Sequence, residues 1–194
     1  MTIKQSKDGI NHHWNYYLAL EEDMERVSRF IEFSEKNYCV YSIELAHILF
    51  TASSEFEIVA RMLCAELDRN AKRENINEIR RVLMKHVPEI AKETIYVDRY
   101  CLTLDTPLEN FAIGKSPRWW DSYNAVKHNR NEKFEHATLE NALQALASLL
   151  IVALYYEKAR KQSINFNEAV KTLKPESSLL RFNPHYYDDI QLVL

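Results

Sequence analysis

The stretch TLENALQALASLLIVALYYEKARK, residues 138–161, decides the fold. Leu139, Leu143, Leu146, Leu150 and Leu154 recur at three- and four-residue steps with alanines between them. That is the spacing of a helix with few polar positions, which belongs in the centre of a bundle. Thr138 reads as its N-cap, because a threonine hydroxyl can accept from a free first-turn amide. The most apolar part, residues 145–156, is about twelve residues long, short of the ~20 needed to cross a bilayer. No membrane association is expected.

The rest of the chain agrees with a helical reading. Only two glycines, Gly9 and Gly114, occur in 194 residues. Tight hairpins and phosphate-binding loops lean on glycine at positive φ, so an all-β or dinucleotide-binding fold is disfavoured. Residues 12–34 carry Trp14, Tyr17, Leu18, Met24, Val27 and Phe30 at helical spacing. A second apolar helix is expected over 42–68, with Thr51-Ala-Ser-Ser54 bending or interrupting it and Glu57 pairing with Arg61 four residues on. Asn75-Ile-Asn-Glu78 has the pattern of a capping box and starts a third helix, residues 76–92, with Pro88 ending its regular part. Residues 95–104 are β-branched and aromatic and read as extended, with 111–113 as the partner of a short hairpin. Ser116-Pro117 reads as N-cap and first residue of a helix over 118–128, and Asn129-Arg-Asn131 as a break. A short helix is expected at 168–173. The expectation is an all-α fold, an antiparallel bundle in one domain spanning residues 1–194. Its core covers about 12–162 and a C-terminal extension covers 163–194.

Charge and cysteine usage narrow the function. The net charge of −3 gives no whole-protein field for a polyanion, so any such site must be local. Cys39, Cys64 and Cys101 lack CxxC spacing and read as buried thiols in a reducing cytosol. The N-terminal MTIKQSKDGINHHW has no signal-peptide apolar run, so a cytoplasmic location is expected. Phosphate-loop, nucleophile-elbow and dinucleotide motifs are absent, and no cofactor is expected. His128 and His136 lack zinc-site spacing, His12-His13 point to different helix faces, and His47, His86 and His185 read as ordinary. No metal ligand is assigned.

Function concentrates in WWDSYNAVKHNRNEKFEH, residues 119–136. From Lys115 to Lys133 there are five basic residues, Lys115, Arg118, Lys127, Arg130 and Lys133, against Asp121 and Glu132. Cations interleaved with Trp119, Trp120 and Tyr123 suit single-stranded nucleic acid, whose phosphates meet cations and whose bases stack on rings. The alternative is that Trp119, Tyr123 and Val126 form one buried helical face.

Arg130-Asn131, then four further residues and His136, resembles the Arg-x(4–6)-His motif of the HEPN superfamily, including the polar residue after the arginine. In that family the motif lies at the junction between two helices of a compact bundle, as expected here. The same spacing recurs at Arg80 and Arg81 with His86, but inside an amphipathic helix. The resemblance implies metal-independent RNA cleavage, with Arg130, Asn131 and His136 as catalytic residues. RNA supplies its own nucleophile, the 2′-hydroxyl; histidine can move its proton, and arginine can hold the phosphate. Lys127, His128, Lys133, Trp120 and Tyr123 are the candidate substrate contacts. First-turn amides of the helix after His136 are expected to add donors to the phosphate. The resemblance further implies a homodimer whose composite site supplies acid and base, RNA as partner, and a toxin or phage-defence setting with an antitoxin or other protein partner. The alternative is a non-catalytic helical module that binds a nucleotide or a protein.

Overall fold

The computed structural model describes residues 11–161 and 165–182; the sequence beyond Phe182, including His185, lies outside them. Its axis is the long apolar helix Leu139–Arg160, α6 in chain order. The Thr138 hydroxyl accepts from the Asn141 amide at 3.2 Å, and buried residues occur on nearly every side of the helix. It is long and apolar enough to cross a membrane by length and composition, but most of that stretch is buried inside the fold.

Its principal neighbour is α2, Ile43–Leu67. Ser42 caps this helix, and 25 residues then run without interruption. The expected break at Thr51–Ser54 does not occur: the Thr51 hydroxyl donates to the His47 carbonyl one turn back at 2.7 Å, a bond compatible with continued helix. Packing against α6 then holds the helix continuous. Glu57 and Arg61 pair at 2.5 Å as expected.

Helix α1, His12–Val27, packs across α2 and α6. It ends seven residues short of the expected 34, so Phe30 leaves the apolar stripe and is 85% exposed, while Phe33 enters the core. In α3, Ile76–His86, Asn75 caps the amides of Asn77 and Glu78. The returning Glu78 carboxylate takes the amide of Glu74 at 2.8 Å instead of that of Asn75, so the capping box closes one residue early. Pro88 ends the regular helix and opens a 3₁₀ turn, Pro88–Lys92.

The hairpin lies wholly inside residues 95–104. Strand β1, Ile95–Val97, pairs antiparallel with β2, Leu102–Leu104, in the register Ile95↔Leu104. The chain reverses through the 3₁₀ turn Asp98–Tyr100, with Cys101 left-handed at φ 51°. The expected partner, residues 111–113, is instead the end of a 3₁₀ turn, Glu109–Phe111, and the turn that follows it, because Phe111 is drawn into the core. Beyond it, α4 is Arg118–His128, α5 is the single turn Arg130–Lys133, and α7 is Phe166–Thr172. Pro117, not Ser116, is the N-cap of α4; the Ser116 hydroxyl donates to Asp121 at 2.7 Å.

The described part of the tail packs into the same core through Phe166, Leu173, Leu179, Leu180 and Phe182. Its anchor is Glu21, whose buried carboxylate accepts from the amides of Ser178, Leu179 and Leu180 at 2.9–3.1 Å and from Tyr17 Oη at 2.9 Å. Of the three thiols only Cys64 is buried, which pushes its pKa up to about 12. Cys39 and Cys101 are exposed because each lies in a surface turn. The result is a mostly helical bundle with a small antiparallel sheet on its side.

Candidate functional site

Asn129 breaks the helix that starts at Arg118: its backbone (φ −134°, ψ 50°) ends α4, and Arg130 begins a new turn in another direction. This break carries Arg130 over α2. Its guanidinium carbon stands 5.0 Å from the centre of the Phe50 ring, and Phe50 meets Tyr123 edge-on at 5.5 Å. Lys127, one turn above Tyr123, places its ammonium 5.1 Å from that ring centre and donates to the phenol oxygen at 3.2 Å. Two cations, Lys127 and Arg130, thus sit on a two-ring ledge, Tyr123 and Phe50. Arg130 makes no ion pair and Lys127 none either among the described residues.

His136 closes the 3₁₀ turn Phe134–His136, which packs against α4 and α5. The turn is fixed from behind. The Asn141 side-chain amide donates to the His136 carbonyl at 2.9 Å, and Phe134 meets Tyr41 edge-on at 6.0 Å. The imidazole itself is 42% exposed, with Nε2 3.9 Å from a Glu135 carboxylate oxygen. His128, Asn131 and Lys133 are exposed on the same break.

Two expectations change. Trp120 and Tyr123 are 7% and 6% exposed and pack with Phe56, Trp119 and Phe50, so they form the floor of the ledge and present no free face for a base to stack on. Trp119 is likewise buried, donating to the Pro107 carbonyl. The first-turn amides of α6 are also taken. Leu139 N–H donates to Val40 O at 2.8 Å, Glu140 N–H to Tyr38 O at 3.2 Å and Asn141 N–H to the Thr138 hydroxyl. A phosphate near His136 therefore depends on side chains. What this strap of residues 38–41 does is lock the His136 turn to the start of α2.

Behind that turn lies a cleft of about 140 Å³ between the loop after β2 and the starts of α4 and α6. Asp105, Glu109 and Glu140 line it, with Arg118 as the single cation of its wall. Burial, and then the charges of Glu35, Glu140 and Asp105, push the nearby Tyr38 phenol above its ordinary pKa. Such a wall repels phosphate and confines any anion to the Lys127–Arg130 side. Among the described residues no three His, Cys, Asp or Glu side chains converge as metal ligands would.

Phe50 was not legible as a site residue, because nothing in a helix of apolar spacing marks which ring will lie beneath an arginine from another element. Tyr41 was missed for the same reason. It is 52% exposed beside Val40 at 37% and Ile43 at 76%, an apolar trio bordering the His136 turn. The chain matches no family model, and neither a curated protein nor a solved structure resembles it closely enough to be counted as similar.

Proposed function

We propose that this chain is a HEPN-like, metal-independent endoribonuclease, with Arg130 holding the scissile phosphate and His136 moving protons. The observation that carries the reading is the state of Arg130: an exposed guanidinium steadied by a ring and, among the described residues, paired with no acid, a few residues from an accessible imidazole. A cation–π contact orients the arginine without consuming its hydrogen-bond donors, so the fork stays open to a phosphate. Lys127 adds a second charge on the same ledge, and Lys133, His128 and Asn131 flank it.

The chemistry uses these groups as follows. Neutral His136 takes the proton of a ribose 2′-hydroxyl, whose oxygen attacks the adjacent phosphorus. The P–O5′ bond breaks, a protonated histidine returns a proton to the leaving 5′-oxygen, and the products are a 2′,3′-cyclic phosphate and a 5′-hydroxyl. Arg130 neutralises the charge that accumulates on the phosphoryl oxygens in the transition state. One chain offers one such histidine on this turn, and a two-fold dimer would bring a second. Val40, Tyr41 and Ile43 are the apolar surface such a partner would cover. The same trio favours the second reading, a non-catalytic helical module that docks a protein there.

Incubating an unstructured RNA with the purified protein in EDTA separates the two. The nuclease reading expects cleavage that falls about 100-fold or more in R130A and in H136A, the range for removing a transition-state donor or a general acid–base group. Intact RNA, or equal cleavage by folded variants, would overturn it.

A further inference from the structure

A second cationic surface lies at the far end of α2, and nothing in the chemistry above uses it. Between Arg69 and His86 there are six lysines and arginines against two glutamates, a denser positive balance than that around Arg130. Three of these six, Lys72, Arg81 and Lys85, line one groove of about 300 Å³ between α3 and the loop after α2, together with His86. Asp68 and Glu78 line it as well; Asp68 lies 3.6 Å from Lys85 Nζ and 3.7 Å from His86 Nε2 and is engaged by both. Glu78 is engaged by the Glu74 amide. Lys72 and Arg81 are exposed and make no ion pair among the described residues. Ala71 and Val82 add apolar lining, so cations that are free of acids stand beside apolar surface.

The two surfaces lie along one helix. From Phe50, under Arg130, the exposed face of α2 runs through Ser54 and Ile58 to Arg61, each a turn further on. Arg61 donates to the Glu74 carbonyl, in the loop that borders the groove. Eighteen residues separate Phe50 from Asp68, about 27 Å at 1.5 Å per residue. A stacked strand rising about 3.4 Å per nucleotide covers that distance in roughly eight nucleotides. The only charged residue at the centre of this face, Glu57, is held by Arg61.

We propose that the Lys72–Arg81–Lys85 groove is a second phosphate-binding site for the same RNA strand, which leaves the Arg130 ledge, follows the exposed face of α2 and ends on α3. This rests on the nuclease reading for the identity of the polymer, but not on catalysis. An acidic peptide would match the charge, yet the regular spacing of phosphates suits two cationic sites joined by a nearly uncharged track.

The test is binding to RNA whose 2′-oxygens are methylated, which blocks cleavage and reads affinity alone. Fluorescence anisotropy compares a tetranucleotide, a dodecanucleotide and an oligoglutamate on wild type, R81A/K85A and K127A/R130A. The dodecamer should bind R81A/K85A about 20-fold more weakly at 0.1 M salt, with a log K–log salt slope shallower by about 1.4, since each lost phosphate contact is worth about 0.7 in slope. The tetramer should be unaffected by R81A/K85A and weakened by K127A/R130A. An unchanged dodecamer affinity and slope in R81A/K85A overturns the second site, as does an equal loss for both lengths or a loss confined to oligoglutamate. If the length-dependent loss appears while unmodified RNA stays uncut, the cleavage reading falls and the second site stands.

Discussion

Glu21 is 1% exposed and its carboxylate accepts from three backbone amides, whereas Arg130 stands exposed over the ring of Phe50 with no acid paired to it among the described residues. Both are single charges held in place by the fold. In the first region the carboxylate is taken up by the tail amides and by Tyr17 of α1, so the charge is structural and closed to anything from outside. In the second the fold orients the charge through an aromatic face and leaves its donors unspent. The difference is a working criterion: a satisfied buried charge is architecture, and an oriented unsatisfied one is available for a ligand.

The contrast can be broken at either pole. The largest expected effect on stability is that of E21A, which strands the amides of Ser178, Leu179 and Leu180. Urea denaturation should show a loss of about 3–5 kcal/mol, the range for removing one partner of a buried charged cluster. Hydrogen exchange at those three amides should accelerate, and a loss under 1 kcal/mol would remove Glu21 from its anchoring role.

Glu157 provides an intermediate case. It is 2% exposed and binds Arg160, Lys161 and Thr172. Burial alone would raise its pKa, but the hydrogen bonds from Lys161 and Arg160 outweigh burial and hold it below the usual glutamate value. A depressed carboxylate pKa contributes stability that is present above the ordinary glutamate range and lost as pH falls through the folded value. E157Q should therefore cost about 1–3 kcal/mol at pH 7. The gap to wild type should close in acid, as read from denaturation midpoints at pH 7 and at pH 3. A gap that persists at pH 3 would mean packing, and not charge, is what Glu157 supplies.

The smallest stability effect belongs to the other pole. R130A should change unfolding free energy by no more than about 0.5 kcal/mol, as for most surface substitutions, because the cation–π contact is exposed. A loss of several kcal/mol would place Arg130 with Glu21 as architecture.

Much of the fold was legible because periodicity and capping chemistry are local. Thr138 as the cap of α6, the extent of α4 and the pairing of Glu57 with Arg61 follow from residues within a turn or two of one another. What failed depended on tertiary choice. Phe30 kept the helical spacing but lost its core place to Phe33, and residues 111–113 gave up strand pairing because Phe111 had a core position to fill. The site divides along the same line. Arg130 and His136 could be named from spacing and local charge. The ring under the arginine, the burial of Trp120 and Tyr123, and the strap that uses the α6 amides depend on segments distant in sequence.

The chemistry of the cut ends tests most directly whether Arg130 and His136 work on RNA's own 2′-hydroxyl. Products of an unstructured oligoribonucleotide treated in EDTA can be read by mass spectrometry. Ends carrying a 2′,3′-cyclic phosphate and a 5′-hydroxyl, made by wild type and lost in R130A and H136A, are the expected result. Intact RNA, or fragments with 5′-phosphate and 3′-hydroxyl ends, would contradict it.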